Sequence, residues 1–278
     1  MGKFDGILLA SDFDQTISDL KGTIPPSNLQ ALDYFTAEGG RFCLNTGRSI
    51  AMARNRAMSL PCNAPCLLYN GAACYDYREE RLYFAHELPD FAKELPAMFA
   101  AEDVCMEVQG LQSHYATGPA HPRAYVLEKE GVFWKPLEEM HEPWMKLIFC
   151  SNRGNVFEHH SNVPAEELER WAKLRDRLTE LCDGRCYVTA SLPRVIEISN
   201  VRCNKGVAAR ELATMLGCDR LVCAGDAMND AQMLSMADVA FCPADAQPGI
   251  LALPNVRATV PCGEGAVAAA IEMLEQML

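Results

Sequence analysis

Three short apolar runs in this chain each break off in a burst of polar residues. Ile7-Leu8-Leu9-Ala10 runs into DFDQT (Asp12 to Thr16), the Phe42-Cys43-Leu44 run of the strand segment Arg41 to Leu44 into NTGRS (Asn45 to Ser49), and Leu221-Val222-Cys223-Ala224 into GDAMND (Gly225 to Asp230). An unbroken apolar run of this length reads as a strand buried on both faces, the pattern of a parallel sheet. Cys66-Leu67-Leu68-Tyr69, Val195 to Ser199 and Val239-Ala240-Phe241 read as further strands. Helical patterns separate them. Ser27 to Glu38 carries Leu29, Leu32 and Phe35 on one side, with Ser27 as N-cap and Gly39-Gly40 as stop. Lys205 to Leu216 ends at Gly217, and Gly265 to Leu278 closes the chain. The β-α-β order predicts an α/β fold, a parallel-sheet core with helices on both faces.

The middle of the chain differs. It holds all three tryptophans, Trp134, Trp144 and Trp171, and a strong amphipathic helix from Pro164 to Leu181 with Leu168, Trp171, Leu174, Leu178 and Leu181 at helical spacing. Lys146 to Cys150 reads as a strand. The simplest organisation is a discontinuous core of residues 1–80 and 194–278 with an α/β insert of residues 81–193.

In an open parallel sheet, ligands bind outside the carboxyl ends of the strands. The three polar clusters should therefore meet on one rim, with Lys205 at a helix start beside them. Asp12, Asp14, Asp226 and Asp230 would concentrate negative charge there. Neighbouring carboxylates repel unless a proton or a cation intervenes, and hard oxygen donors of this kind suit Mg²⁺. Thr46, Gly47 and Lys205 supply donors and a positive charge for an anion. Such a set matches phosphoryl transfer, with an ionised aspartate as a competent nucleophile toward phosphorus. Each cluster also has a purely architectural reading. Asp12 and Asp14 can end a strand in an Asx-turn, Thr46-Gly47 can be an ordinary turn, Lys205 a solvated lysine, and Asp226 with Asp230 a helix cap.

Composition narrows the partners. A formal net charge of −12 disfavours nucleic acid and anionic membranes. No stretch approaches the roughly 20 apolar residues that span a bilayer, and Asp5, Asp12 and Asp14 break any signal-peptide pattern. The expectation is a cytoplasmic protein, monomeric or a small homo-oligomer, acting on a small phosphorylated metabolite. The thirteen cysteines read as reduced, mostly small core hydrophobes. Cys62/Cys66, Cys182/Cys186 and the His159-His160 pair are the sequence's suggestions for zinc, although neither spacing is the usual two-residue knuckle. In the insert, His114, His121, Arg123 and Trp134 are candidates for touching a leaving group. Arg48 and Glu197 are candidates to line the site.

DFDQT, NTGR, NKG (Asn204 to Gly206) and GDAMND, in this order, resemble the four motifs of the haloacid dehalogenase-like superfamily. The long insert resembles the α/β cap of its Cof-like sugar-phosphate phosphatases. That resemblance implies a Rossmann-like core and a mobile cap that selects the substrate. It implies that Asp12 is the nucleophile and Asp14 the general acid/base. Asp12, the Asp14 carbonyl and Asp226 would hold Mg²⁺, with Asp230 in support and Asn229 nearby. Thr46 and Lys205 would bind the phosphoryl group. A phosphomutase, or a catalytically silent binding protein of the same fold, would share these motifs. Gln15 departs from the family's D-x-D-G-T; if the turn needs positive φ there, Gln15 is strained.

Overall fold

A computed structural model describes residues 2–118, 121–153, 155–156 and 162–278, the side chains of Val126 and Ser191 excepted. Along the chain the strands are β1 (Ile7–Ser11), β2 (Arg41–Leu44), β3 (Cys66–Leu68), β4 (Ala73–Asp76), β5 (Arg81–Ala85), β6 (Val104–Gln109), β7 (His114–Ala116), β8 (Trp134–Pro136), β9 (Lys146–Ser151), β10 (Cys186–Leu192), β11 (Val195–Asn200), β12 (Arg220–Ala224), β13 (Val239–Cys242) and β14 (Val256–Ala258). The helices are α1 (Pro26–Ala37), α2 (Ile50–Ser59), α3 (Leu95–Met98), α4 (Ala124–Lys129), α5 (Ala165–Cys182), α6 (Lys205–Met215), α7 (Ala231–Met236), α8 (Pro248–Leu251) and α9 (Ala266–Glu275). They fall into two compact units. One comprises the chain up to Arg48, Ala53–Phe84 and Asn204–Leu278; the other comprises Ser49–Met52 and Ala85–Cys203.

In the first unit, five parallel strands lie in the order β14-β13-β12-β1-β2. All five residues of β1 are buried, as expected of a strand covered on both faces. On one face Leu8, Ala10, Cys43, Leu221, Cys223 and Ala240 pack with Ala208, Ala209 and Leu212 of α6 and Met233 and Leu234 of α7. The other face belongs to α1 and α9, where Val267 and Ala270 border Ala224 and Phe241. Asn28 ties these two helices into the core: its Nδ2 donates to the Ile17 carbonyl and its Oδ1 accepts from Ala268 N–H, each at 2.8 Å. α1 starts at Pro26, with Pro25 rather than Ser27 at its N-cap. Proline at the first helical position lacks only an N–H that no helix could use. A single parallel bridge from Asn45 to Leu67 leads on to the small sheet β3-β4-β5.

The second unit is a six-stranded sheet in the order β10-β11-β9-β6-β7-β8, antiparallel apart from β7 with β8. One face is apolar. Val104, Met106, Val108, Leu147, Phe149, Ile196 and Ile198 pack with Trp171, Leu174 and Leu178 of α5, so the Trp171 stripe is core. By the two-residue pleat, the opposite face carries Cys105, Glu107, Gln109, Lys146, Cys150 and Glu197. Val195 to Ser199, which the sequence groups with the C-terminal core segment, pairs in this sheet with β9 and β10.

Candidate active site

Strand pairing aligns the polar clusters. Ser11 sits opposite Leu44 on one side and Ala224 on the other, so the residues after β1, β2 and β12 leave the sheet at one edge. Asp12 N–H continues the ladder, donating to the Ala224 carbonyl at 2.9 Å. Asn45 N–H does the same to Ser11 at 2.8 Å.

Lys205 is the centre of the arrangement. It is the first residue of α6, whose N-cap Asn204 accepts from Gly206 N–H at 2.8 Å and Val207 N–H at 3.1 Å. Asn45 Nδ2 donates to the Lys205 carbonyl at 2.9 Å. Gly71 allows this fit: at φ +89° a Cβ there would stand 2.6 Å from the Asn204 carbonyl oxygen. The Lys205 ammonium is buried and donates to Asp12 Oδ1 and Asp230 Oδ1, both at 2.7 Å. The second oxygen of Asp230 accepts from the N–H groups of Asp226 and Ala227, each at 3.1 Å. This folds GDAMND into a tight loop and realises the capping role open to Asp230. Thr16, quoted in the first motif but given no role there, donates to Asp226 Oδ1 at 3.2 Å.

One oxygen each from Asp12, Asp226 and Asp230 lies within 4.8 Å of the other two. Three carboxylates against one ammonium leave two negative charges in a buried place. Burial alone works against that: it pushes the Asp12 carboxyl up to about 7 despite Lys205, and Asp226 up to about 6 with help from the Asp230 charge. Burial also works against the charged Lys205, but Asp12 and Asp230 outweigh it and hold its pKa above the usual lysine value. A hard divalent cation among these oxygens would cancel the two surplus charges, so the donor set fits Mg²⁺ in charge and in chemistry.

The other predicted residues stand close by along the chain. Asp14 is gripped by Arg48 in a fork, Nε to Oδ2 at 2.9 Å and Nη2 to Oδ1 at 2.7 Å. Thr46 is buried; its amide donates to Leu67 at 2.9 Å and its hydroxyl accepts from Arg48 N–H at 3.3 Å. Gly47 is hemmed in by Asn70, whose Oδ1 would lie 2.8 Å from a Cβ at that position. Asn229 is exposed on the turn before Asp230. Gln15 has φ 56°, so the first motif does turn through the left-handed region that suits glycine.

The candidates from the insert gather on a residue the sequence reading passed over. Glu107 is fully buried. Its Oε1 accepts from His114 Nδ1 at 2.9 Å and Gln109 Nε2 at 3.1 Å, and its Oε2 from Arg123 Nη1 at 2.8 Å. His114 Nε2 in turn meets Ser49 Oγ at 2.8 Å. Burial opposes the Glu107 charge, but Arg123 and the two histidines hold its carboxyl well below the usual range. Glu197 pairs with Lys146 at 2.8 Å. All thirteen cysteines are free thiols. The described residues capable of clustering round a metal include neither Cys62/Cys66 nor Cys182/Cys186, and His159-His160 lies outside the described residues.

A five-stranded parallel sheet with carboxylates and a buried lysine at its carboxyl edge defines an α/β protein of Rossmann-like build with its polar site where such sheets bind ligands. The chain belongs to the haloacid dehalogenase-like hydrolase family, whose model matches residues 9–271. An HMP-PP phosphatase from Klebsiella pneumoniae is 25% identical over 267 residues, which cover 94% of this chain and 92% of that one. A haloacid dehalogenase-like hydrolase from Bacteroides thetaiotaomicron shares the fold with a TM-score of 0.84 at 18% identity, over 98% of this chain and 99% of that one. A sugar phosphatase of subclass IIB of the same superfamily does so with a TM-score of 0.73 at 18% identity, over 96% and 98%. No helix among the described residues is long and apolar enough to cross a membrane.

Proposed function

We propose that this chain is a Mg²⁺-dependent phosphatase of small phosphomonoesters, with Asp12 as nucleophile and Asp14 as general acid and base. The buried cluster of Asp12, Asp226 and Asp230 round Lys205 carries this reading. Lys205 holds one Asp12 oxygen and so fixes the carboxylate for in-line attack. As the Asp12–phosphorus bond forms, the ester oxygen–phosphorus bond breaks, and Asp14 gives its proton to the departing alcohol. Asp14 then takes a proton from a water that attacks the aspartyl phosphate, freeing Asp12 and inorganic phosphate. Thr46, Gly47, Lys205 and Asn229 bind phosphoryl oxygens. Asp12, the Asp14 carbonyl, Asp226 and Asp230 hold the ion, which when bound offsets charge on the phosphoryl oxygens. The unit containing Ala85–Cys203 is the cap that selects the substrate.

The test is phosphate release from a panel of phosphorylated metabolites headed by HMP-PP and sugar phosphates. Asp12→Asn should lower turnover by at least about 10³-fold with an unchanged circular dichroism spectrum, since an amide cannot form the acyl phosphate. Chelation should abolish activity and Mg²⁺ restore it. Wild-type turnover in the Asn variant would remove Asp12 as nucleophile, and activity indifferent to EDTA would remove the ion. Steady release of inorganic phosphate separates a hydrolase from a phosphomutase.

A further inference from the structure

We propose that the second unit holds a separate site for a thiophilic divalent cation of the zinc class, built from Cys105, Cys150 and His121. Cys105 on β6 and Cys150 on β9 are directly paired across the sheet, and His121 precedes α4. One ligand atom from each lies within 4.8 Å of the other two, and all three residues are buried. Tetrahedral zinc with two sulfurs and a nitrogen needs donor separations of about 3.5–3.8 Å, so a contraction of at most about 1.3 Å closes the set.

A second observation points to a ligand. His121 Nε2 is buried without a hydrogen-bond partner. It stands within ion-pair distance of Glu107 Oε2, at 3.1 Å. Nδ1 accepts from Arg123 N–H at 3.2 Å. Ligation through Nε2 moves the ring proton to Nδ1, so this long contact opens on binding. Trp134 packs edge-on against the imidazole, with ring centroids 5.6 Å apart, and steadies its plane.

Charge balances in both states. Without metal, two neutral thiols sit beside the Glu107–Arg123 pair. With it, two thiolates and Glu107 offset Arg123 and a dication. Binding is therefore an exchange in which one M²⁺ enters and two protons leave for solvent. Ala116, Ile148, Val156 and Val195 pack with the two cysteines, an apolar setting that suits soft donors better than the hard, hydrated Mg²⁺.

Cobalt(II) is the probe, because thiolate ligands give it a near-ultraviolet charge-transfer band that an all-oxygen aspartate cluster cannot. Reduced, chelator-treated full-length protein should develop the band with one equivalent of Co²⁺, and Zn²⁺ should displace it. Cys105→Ser and Cys150→Ser should each abolish it. His121→Asn leaves both strands untouched and should weaken binding by at least about tenfold. A wild-type protein without the band overturns the site, as does a Cys105→Ser/Cys150→Ser protein that keeps it. Unchanged affinity in His121→Asn removes the imidazole from the ligand set and with it the proposal as stated.

Discussion

Gln15 shows what a single residue can tell. Its φ of 56° costs a non-glycine residue about 1–2 kcal/mol, and its side chain is exposed, so no buried contact offsets the strain. Gln15→Gly should therefore raise unfolding free energy by about 1 kcal/mol in urea titrations; no change or a loss would show that the glutamine side chain contributes stability of its own. The sequence raised a left-handed turn here only as a condition, through the glycine that the resembling motif usually carries at this position. Glu107 was not legible. One carboxylate in VCMEVQ looks like any strand residue that faces water. Its importance comes from His114, Gln109, Arg123 and His121 closing round it, and that is a property of sheet register and loop course. The same holds for the Arg48–Asp14 fork, which joins residues 34 positions apart.

At the scale of elements, the core was legible where a parallel strand carries an unbroken apolar run, as β1, β12 and β13 do; β14, Val256-Arg257-Ala258, carries none and was not read as a strand. The observed limits of the legible strands, such as Ile7–Ser11 and Arg41–Leu44, follow the runs closely. The second sheet was largely hidden. β6 mixes Glu107 and Gln109 with apolar residues, and β8 is three residues long and includes Pro136. Neither gives a period strong enough to separate strand from loop. The helix start that holds Lys205 gives a prediction of its own. Asn204 satisfies two N–H groups of α6, so Asn204→Ala should cost about 1 kcal/mol and lower turnover severalfold by loosening the ammonium. Asn204→Ser, which can still cap, should recover most of both in parallel denaturation and kinetic assays; failure to recover would mean that the cap acts otherwise than through α6.

For the whole molecule, the two units should answer acid in opposite directions when chelator removes divalent ions. In the first, Asp12 and Asp226 have folded pKa values of about 7 and 6, above the carboxylate norm of about 4. The folded state binds protons more readily there, so that unit gains stability as pH falls from about 7 toward 4. In the second, Glu107 is held below its ordinary value. Its contribution is complete above about 4.3 and disappears as pH drops through the folded value. Hydrogen exchange resolved by peptide should show Val104–Gln109 losing protection at low pH while Ile7–Ser11 is still slow. Simultaneous loss would mean that the two units unfold as one.

The neighbours β12, β1 and β2 hold the reactive groups in line by main-chain bonds that read no side chain. Whatever length of polypeptide is strung between β5 and α6, the register at the working edge and the helix start that holds Lys205 stay the same. A lineage with this architecture can therefore rewrite, lengthen or replace that intervening stretch while its chemistry persists, and new specificities become accessible by gradual steps through functional ancestors.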